Sequence, residues 1–197
     1  MTCRRPGGCR WCADPGAEFC RAWRRAVGVR EPPPMDYPQP LMPFLGREVM
    51  LHVGADCPPV GRWVKPVQTK AWPAQRIGAG PSQLGPGPFW SSEHLDLLAE
   101  FRVYVLGRAV AGAGRYDDGP NDELGYDQAV VDAMIRAYSA SGQAPAAYAL
   151  DVGVLVDGRT VLVEVTDAWA IGYYRGTLSA KGYARLLWAR WAELAGR

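Results

Sequence analysis

The stretch AYALDVGVLVDGRTVLVEVTDAW, residues 147–169, decides the fold. It contains two runs rich in β-forming residues, 149–156 and 160–165, which are joined at Asp157-Gly158. Aspartate followed by glycine between two such runs is a strong signal for a tight hairpin turn, because both residues tolerate positive φ. The sequence therefore predicts an antiparallel hairpin that is closed by a two-residue turn.

Two carboxylates lie opposite each other on this predicted hairpin. Asp151 and Glu164 stand at equal distances from the turn, and cross-strand partners have Cβ atoms about 4.5–5.5 Å apart. Two carboxylates that close repel each other unless a cation or a proton lies between them. One explanation is a divalent ion, with Mg²⁺ favoured by hard oxygen ligands. The alternative is that an arginine neutralises one carboxylate while the other points to solvent.

The rest of the chain predicts further strands and helices. Strands are expected at 62–67, 89–92, 100–106 and 109–116, and helices at 17–27, 126–139 and 180–194. A glycine- and proline-rich loop at 79–88 is a candidate lid. We expect an α+β fold in which an antiparallel sheet is flanked by helices.

Lysine is scarce in this chain, which has only Lys65, Lys70 and Lys181 against nineteen arginines. Lys65 lies within an apolar strand, where its charge needs a partner, and a phosphate is a suitable one. The alternative is that Lys65 extends its ammonium to water and that Lys70 is solvated. The chain has no GxxxxGK[ST] motif, so any ATP site is not of the P-loop kind.

These motifs occur in one order and together resemble the ATP-grasp superfamily, within it a clade marked by one arginine and two lysines. The order is RWVKPVQTKAW (62–72), FWSSEHLDLLAEFRVYVLG (89–107), AGAGRY (111–116) and then residues 147–169. The resemblance extends from about Leu45 to the C-terminus. It implies ATP and Mg²⁺ as cofactors, and a ligase that activates the carboxylate of a small molecule or peptide as an acyl phosphate for attack by an amine or thiol.

The resemblance also implies roles for single residues. It assigns Lys65 and Lys70 to ATP phosphates, Ser92 and Glu93 to the hinge that reads adenine, and Glu93 or Glu100 to ribose. It assigns Arg102 to the transferred phosphoryl group, with Arg62 as a second candidate for the clade's arginine. Arg102 and Lys70 are the expected catalytic residues, and Asp151, Glu164 and Thr166 the expected Mg²⁺ ligands. Thr166 stands where the family has asparagine, and Asp167 follows it as a substitute ligand.

The N-terminal part departs from the family pattern, whose usual preceding domain is missing or shortened here. We divide the chain into a Cys- and Arg-rich segment at 1–30, a Pro-rich linker or wrapping arm at 31–45, and an ATP-grasp-like domain at 46–197. Cys3, Cys9, Cys12 and Cys20 are candidate zinc ligands; an unstructured segment that follows a mistaken start is the alternative. A partner chain could supply the missing domain.

Composition limits the other functions. The net charge of +2 is small, so nucleic acid is not an expected partner, although the basic N-terminal segment leaves a nucleic-acid or peptide contact as a minor alternative. The sequence lacks both an apolar run long enough for a membrane helix and a secretory signal, so we expect no membrane partner and a cytoplasmic location. A non-catalytic nucleotide-binding or interaction module, derived from an ATP-grasp enzyme, is the alternative to the ligase.

Overall fold

The computed structural model describes residues 15–54, 58–68, 71–79, 84–117, 124–174 and 176–197, with the backbone alone at 15–20. The strands are β1 (Val49–His52), β2 (Trp63–Pro66), β3 (Gln75–Arg76), β4 (Phe89–Ser92), β5 (Leu97–Leu106), β6 (Ala109–Arg115), β7 (Ala147–Leu155) and β8 (Thr160–Asp167). The helices are α1 (Pro15–Ala26), α2 (Gln128–Ala140) and α3 (Ala180–Leu194), with short 3₁₀ helices at Gln39–Phe44 and Ala168–Ala170.

The strands form two four-stranded antiparallel sheets. The first sheet has the order β1-β4-β2-β3, and the second sheet has the order β6-β5-β7-β8. Helices pack on the second sheet, so the predicted α+β class with antiparallel strands flanked by helices is confirmed. No helix in the described parts of the chain is both long and apolar enough to cross a bilayer.

The two faces of the second sheet carry different helices. On one face α2 buries Val131 and Met134 against the main core, which also contains Val103 and Leu150. On the other face α3 buries Leu186 in the cluster that contains Tyr104 and Ala149. Side chains alternate between the faces of a strand, so Arg102 and Asp151 lie on the α3 face, beyond the part that α3 covers.

Local capping explains where the two long helices begin. The Asp127 side chain accepts a hydrogen bond from the Ala129 N–H at the start of α2, and Ser179 accepts one from the Gly182 N–H at the start of α3. Such caps satisfy N–H groups that have no partner within the helix. The helix predicted at 180–194 is confirmed with the same bounds, and the one predicted at 126–139 is shifted by up to two residues.

The turn of the β7–β8 hairpin differs from the prediction, although the predicted carboxylate pair is correct. The loop has three residues, 156–158, because the Leu155 N–H bonds to the Arg159 carbonyl. Gly158 has a φ of 83° and donates its N–H to the Leu155 carbonyl. A β-bulge between Asp151 and Val152 then shifts the register by one residue, which places Asp151 opposite Glu164. The predicted two-residue turn was wrong, and the bulge offsets the extra loop residue.

The Pro-rich segment at 31–45, called the arm below, packs against the second sheet. Leu41 and Leu45 are fully buried in the main core, and Tyr37 joins the same cluster. The Asp36 carbonyl accepts a hydrogen bond of 2.8 Å from the Val165 N–H of β8. Of the two roles left open for this segment, these contacts are those of a wrapping arm, while the domain boundaries at residues 30 and 45 stay a prediction.

Candidate functional site

A row of three charged residues crosses the second sheet. Arg102 on β5 is the register partner of Asp151 on β7, which is the register partner of Glu164 on β8. Direct cross-strand partners point to the same face, so the three side chains lie side by side on the face that α3 leaves open. The predicted pairing of Asp151 with Glu164 is thereby confirmed, and Arg102 joins it.

Arg102 and Asp151 form a buried two-point ion pair. The Arg102 Nε donates to Asp151 Oδ1 at 2.7 Å, and a terminal nitrogen of Arg102 donates to Oδ2 at 2.6 Å. The side chains are only 9% and 1% exposed, respectively. Burial raises the pKa of Asp151, and the guanidinium of Arg102 opposes that rise. A two-point pair of this kind is strong and fixes the orientation of both groups.

Two tyrosines hold the Arg102 guanidinium from the side that the carboxylate leaves open. The guanidinium carbon lies 5.5 Å from the ring centre of Tyr116 and 5.0 Å from that of Tyr174, and the two rings stack on each other. Tyr116 in turn donates its hydroxyl to Glu100 at 2.5 Å. Glu100, expected at the ribose, is therefore tied into the support of Arg102.

Lys65 joins the two sheets at the end of the row. Its ammonium lies 2.5 Å from Glu164 Oε2 and 2.6 Å from Asp36 Oδ1 of the arm. It also lies 4.8 Å from the ring centre of Tyr37. Burial disfavours the charge of Lys65, but Glu164, Tyr37 and Asp36 outweigh burial and raise the pKa of Lys65. The expected partner for a buried Lys65 is thus present, as two carboxylates.

Each member of the predicted acidic pair has a cation of its own. Arg102 neutralises Asp151, and Lys65 neutralises Glu164. The alternative in which an arginine takes one carboxylate is therefore correct for Asp151, but Glu164 binds a lysine and is only 32% exposed. Repulsion between the two carboxylates, the reason for expecting a metal, is offset in this structure without one.

Asp36 is a site residue that the sequence analysis missed. It lies within the proline-rich arm, 29 residues before Lys65 in sequence, and its contact with β8 is of long range. Its other carboxylate oxygen accepts the Trp90 indole N–H at 3.1 Å. The only local signal is an acidic residue between Met35 and Tyr37 in an otherwise apolar, proline-rich stretch.

The expected hinge lies at the end of β4. Ser92 is buried there, opposite Val49 on one side and Trp63 on the other. Glu93 and Glu48 exchange two hydrogen bonds: the Glu48 N–H donates to the Glu93 carboxylate at 2.9 Å, and the Glu93 N–H to the Glu48 carbonyl at 3.2 Å. The Glu93 side chain therefore fixes the hinge to the residue before β1.

Arg62 lies on the first sheet, away from the charged row. Its guanidinium binds the Glu48 carboxylate at 2.8 Å, and a weaker contact of 3.5 Å reaches the Ser91 carbonyl. Arg102, and not Arg62, is the arginine that the structure brings to the acidic pair.

The remaining predicted ligands are placed differently. Thr166 is half-buried opposite Ala149, two residues beyond Glu164 on β8. Asp167 is bound at two points by Arg190 of α3, at 2.9 and 2.7 Å, so it is engaged elsewhere. Among the described residues no group of three or more His, Cys, Asp or Glu could hold a metal ion. Lys70, Cys3, Cys9, Cys12 and the side chain of Cys20 lie outside the described part.

An open groove of about 460 Å³ lies apart from this site. It runs between the 3₁₀ helix of the arm, the start of α2 and the β7–β8 turn, and Phe44, Asp127 and Arg159 line it. None of the predicted site residues lines this groove, so the charged row and Lys65 remain the candidate site.

A family model for an ATP-grasp domain, the second family of the clade named for one arginine and two lysines, matches residues 44–186, well over half of the chain. The chain belongs to this ATP-grasp family. The match contains Lys65, Arg102, Asp151 and Glu164, whereas Asp36 lies before it. A search of the curated proteins finds no match.

Solved structures of ATP-grasp ligases share the fold at low sequence identity. A D-alanine–D-alanine ligase from Bacillus anthracis, complexed with ATP, is 12% identical with a TM-score of 0.50, over 91% of this chain and 64% of that one. The macrocyclase MdnC from Microcystis aeruginosa MRC, bound to the precursor peptide MdnA, is 11% identical with a TM-score of 0.48, over 87% and 59%. The ATP-grasp ligase PsnB, with a precursor variant, Mg and ADP, is 22% identical with a TM-score of 0.45, over 68% and 45%. This ATP-grasp chain thus spans about half the length of the structures it matches.

Proposed function

We propose that this ATP-grasp domain binds ATP and Mg²⁺ between its two sheets and acts in an ATP-dependent ligase. The ligase would activate a carboxylate, on a small molecule or a peptide, as an acyl phosphate that an amine or thiol then attacks. Membership of the ATP-grasp family supports the nucleotide part of the proposal. The chemical part rests on the residues that the fold brings together.

The observation that carries the proposal is the contact between Lys65 of the first sheet and Glu164 of the second. It brings a lysine to the end of the row formed by Arg102, Asp151 and Glu164. Phosphoryl transfer depends on positioning and on neutralising the charge spread over the phosphate oxygens, more than on covalent chemistry by the protein. Two fixed cations and two carboxylates at one junction are the groups that this task requires.

The acidic pair fits a magnesium ion that is shared with a nucleotide. Mg²⁺ is usually held by one or two carboxylates together with substrate phosphates and water, so a pair suffices where no larger acidic cluster is described. Each carboxylate oxygen has about two acceptor positions, and the hydrogen bonds from Arg102 occupy one on each oxygen of Asp151. Glu164 and Asp151 would hold the ion, with Thr166 near Glu164 on the same face.

Each residue has a distinct task in the proposed reaction. The ion would offset the negative charge of the ATP phosphates. Lys65 would donate to a phosphate oxygen, and Arg102 would supply a fixed positive charge to the transferred phosphoryl group. Asp151 orients Arg102, and Tyr116 with Tyr174 keeps the guanidinium in place. The hinge between β4 and β5 would present backbone groups to adenine.

The second candidate is a nucleotide-binding or interaction module without catalysis. It is favoured by the finding that Asp151 and Glu164 are each neutralised by a side chain, so that the site is balanced in charge without a metal. The two candidates differ in how they depend on Mg²⁺. A ligase site needs the ion to bind ATP productively, whereas a module that uses Lys65 alone would bind the nucleotide equally well with chelator present.

The test is calorimetry of ATP binding to the full chain, with and without Mg²⁺. We expect micromolar binding that requires Mg²⁺ and is weakened at least tenfold by Glu164→Gln, which corresponds to about 1.4 kcal/mol. Glu193→Gln is the matched control, because Glu193 is exposed on α3 and binds Arg190 and the Ala146 N–H. It should leave the affinity unchanged.

The outcomes separate the two candidates. Binding that requires Mg²⁺ and is sensitive to Glu164 supports the ligase, and it justifies a screen of carboxylates for ADP release. Binding of equal strength in chelator supports the module. Absence of ATP binding by a folded protein, as judged by its thermal unfolding transition, would refute both.

A further inference from the structure

Asp36 belongs to the candidate nucleotide site although it lies outside the matched domain. The arm places it there through three contacts from three different strands. Its carbonyl binds the Val165 N–H of β8 at 2.8 Å, and its carboxylate binds Lys65 of β2 at 2.6 Å and the indole N–H of Trp90 of β4 at 3.1 Å. The side chain is 16% exposed. Asp36 therefore joins the arm to both sheets at the site.

The backbone of Asp36 shows that this placement is enforced by its surroundings. Asp36 has a φ of 36°, and it is the one residue other than glycine with positive φ in the described part of the chain. Such conformations cost free energy and persist only where surrounding contacts determine them, most often at functional sites. Aspartate and asparagine tolerate this region better than most residues. The three contacts above provide the determination.

The charges around Lys65 place Asp36 in conflict with a phosphate. The Lys65 ammonium has three N–H donors, and the contacts with Asp36 and Glu164 use two of them. In the proposed function the ion on Glu164 offsets the charge of that residue, but nothing offsets Asp36 once Lys65 turns to a phosphate. Like charges at such distances repel substantially where the site is shielded from water.

We propose that Asp36 determines the affinity of this site for nucleotides, because it competes with the nucleotide phosphates for Lys65. Nucleotide binding exchanges the Asp36 carboxylate for a phosphate oxygen as the partner of the Lys65 ammonium. The arm thereby sets the affinity of a site to which it contributes no ligand. This inference rests on the proposed function, because it requires that ATP binds at Lys65.

Asp36→Asn is the informative variant. Asparagine keeps the size, tolerates the positive φ, and can still accept from Lys65 or Trp90, but it removes the negative charge. We expect Mg²⁺–ATP and inorganic tripolyphosphate to bind about five- to tenfold more tightly to this variant by calorimetry. Adenosine, which has no phosphate, should bind as it does to the native protein. Asp36→Gly, which relieves the backbone strain as well, should give the same pattern.

Asp132→Asn is the matched control, since it makes the same change in charge on α2, at the opposite face of the second sheet. It should change none of the three affinities. Thermal unfolding of each variant shows that the fold is retained. A structural role of Asp36, in which the arm loosens, would lower the unfolding temperature and weaken adenosine together with the phosphates.

Two results would overturn the inference. If Mg²⁺–ATP binds to Asp36→Asn and Asp36→Gly no more tightly than to the native protein, Asp36 does not compete for Lys65, while the proposed function stands. If neither the native protein nor the variants bind Mg²⁺–ATP, the inference fails together with the proposed function.

Discussion

Replacing Arg102 by leucine removes the cation of a carboxylate that has almost no contact with water. Asp151 is 1% exposed, and both of its oxygens accept from Arg102. Breaking a buried ion pair by removing one partner costs about 3–5 kcal/mol, because the remaining charge is left unpaired. Domains of this size are stable by about 5–15 kcal/mol, so Arg102→Leu should lose a large fraction of the free energy of unfolding.

The loss should depend on pH in a defined direction. Burial raises the pKa of Asp151 even in the presence of Arg102, which opposes the rise. Without Arg102 the folded-state pKa of Asp151 rises further, while its unfolded value stays near 3.8. Between the native and variant folded-state values, the folded variant holds a proton that the native protein has released. The penalty of Arg102→Leu therefore grows as pH rises through this window and is smaller at pH 5 than at pH 8.

Urea denaturation at these two pH values measures both effects. With a denaturant dependence of about 1–3 kcal/mol per molar urea, the midpoint at pH 8 should fall by at least about 1 M. Arg190→Leu is the matched control, because Arg190 also binds a buried aspartate, Asp167, at two points and lies outside the site. Both variants should lose stability, but only Arg102→Leu should lose Mg²⁺-dependent ATP binding.

Two results would contradict this reasoning. A midpoint within about 0.3 M of the native value at pH 8 would mean that water reaches Asp151 and that the pair contributes little. A large loss that is equal at both pH values would assign the cost to lost packing on Tyr116 and Tyr174, and not to an unpaired carboxylate.

Two further predictions concern the junction of the arm with the domain. Leu41→Ala removes a fully buried side chain from the main core and should cost about 2–5 kcal/mol in urea denaturation; a loss below about 1 kcal/mol would show that the arm is a detachable linker. Gly46→Ala should cost about 1–3 kcal/mol, because Gly46 has a φ of 62° and an added Cβ would lie 2.6 Å from Val161 Cγ1. Leu98→Ala, at a 43% exposed position, is the control for both, and an unchanged midpoint in Gly46→Ala would contradict the steric argument.

The parts of the site that lie on regular elements could be predicted from the sequence. The alternation of apolar residues around Asp151 and Glu164 is a local pattern, and so is the amphipathic helix that begins after Ser179. The scarcity of lysine and the apolar neighbours of Lys65 indicated that this charge needs a partner. These signals depend on neighbours in sequence, which is why their outcome could be foreseen.

The parts that depend on contacts across the chain could not be predicted. Asp36 meets Glu164 only through a lysine on another sheet, and nothing in the arm's sequence specifies that meeting. The bulge on β8 is decided by how the hairpin fits its neighbours, so the loop length and the register could not both be derived from the Asp157-Gly158 signal. The short strands β1 and β3 were not predicted, since four and two residues carry too little periodicity.

The arm and the residue after it also shield β8 at the margin of the second sheet. An outer strand offers free N–H and C=O groups to any extended chain, and such strands are where folded proteins associate into aggregates. Here the Asp36 carbonyl takes the Val165 N–H, and the Arg47 guanidinium donates to the carbonyls of Leu162 and Val163, each at 2.9 Å. The segment that brings Asp36 to Lys65 therefore also protects the sheet from pairing with other copies, so solubility and nucleotide affinity depend on the same few residues.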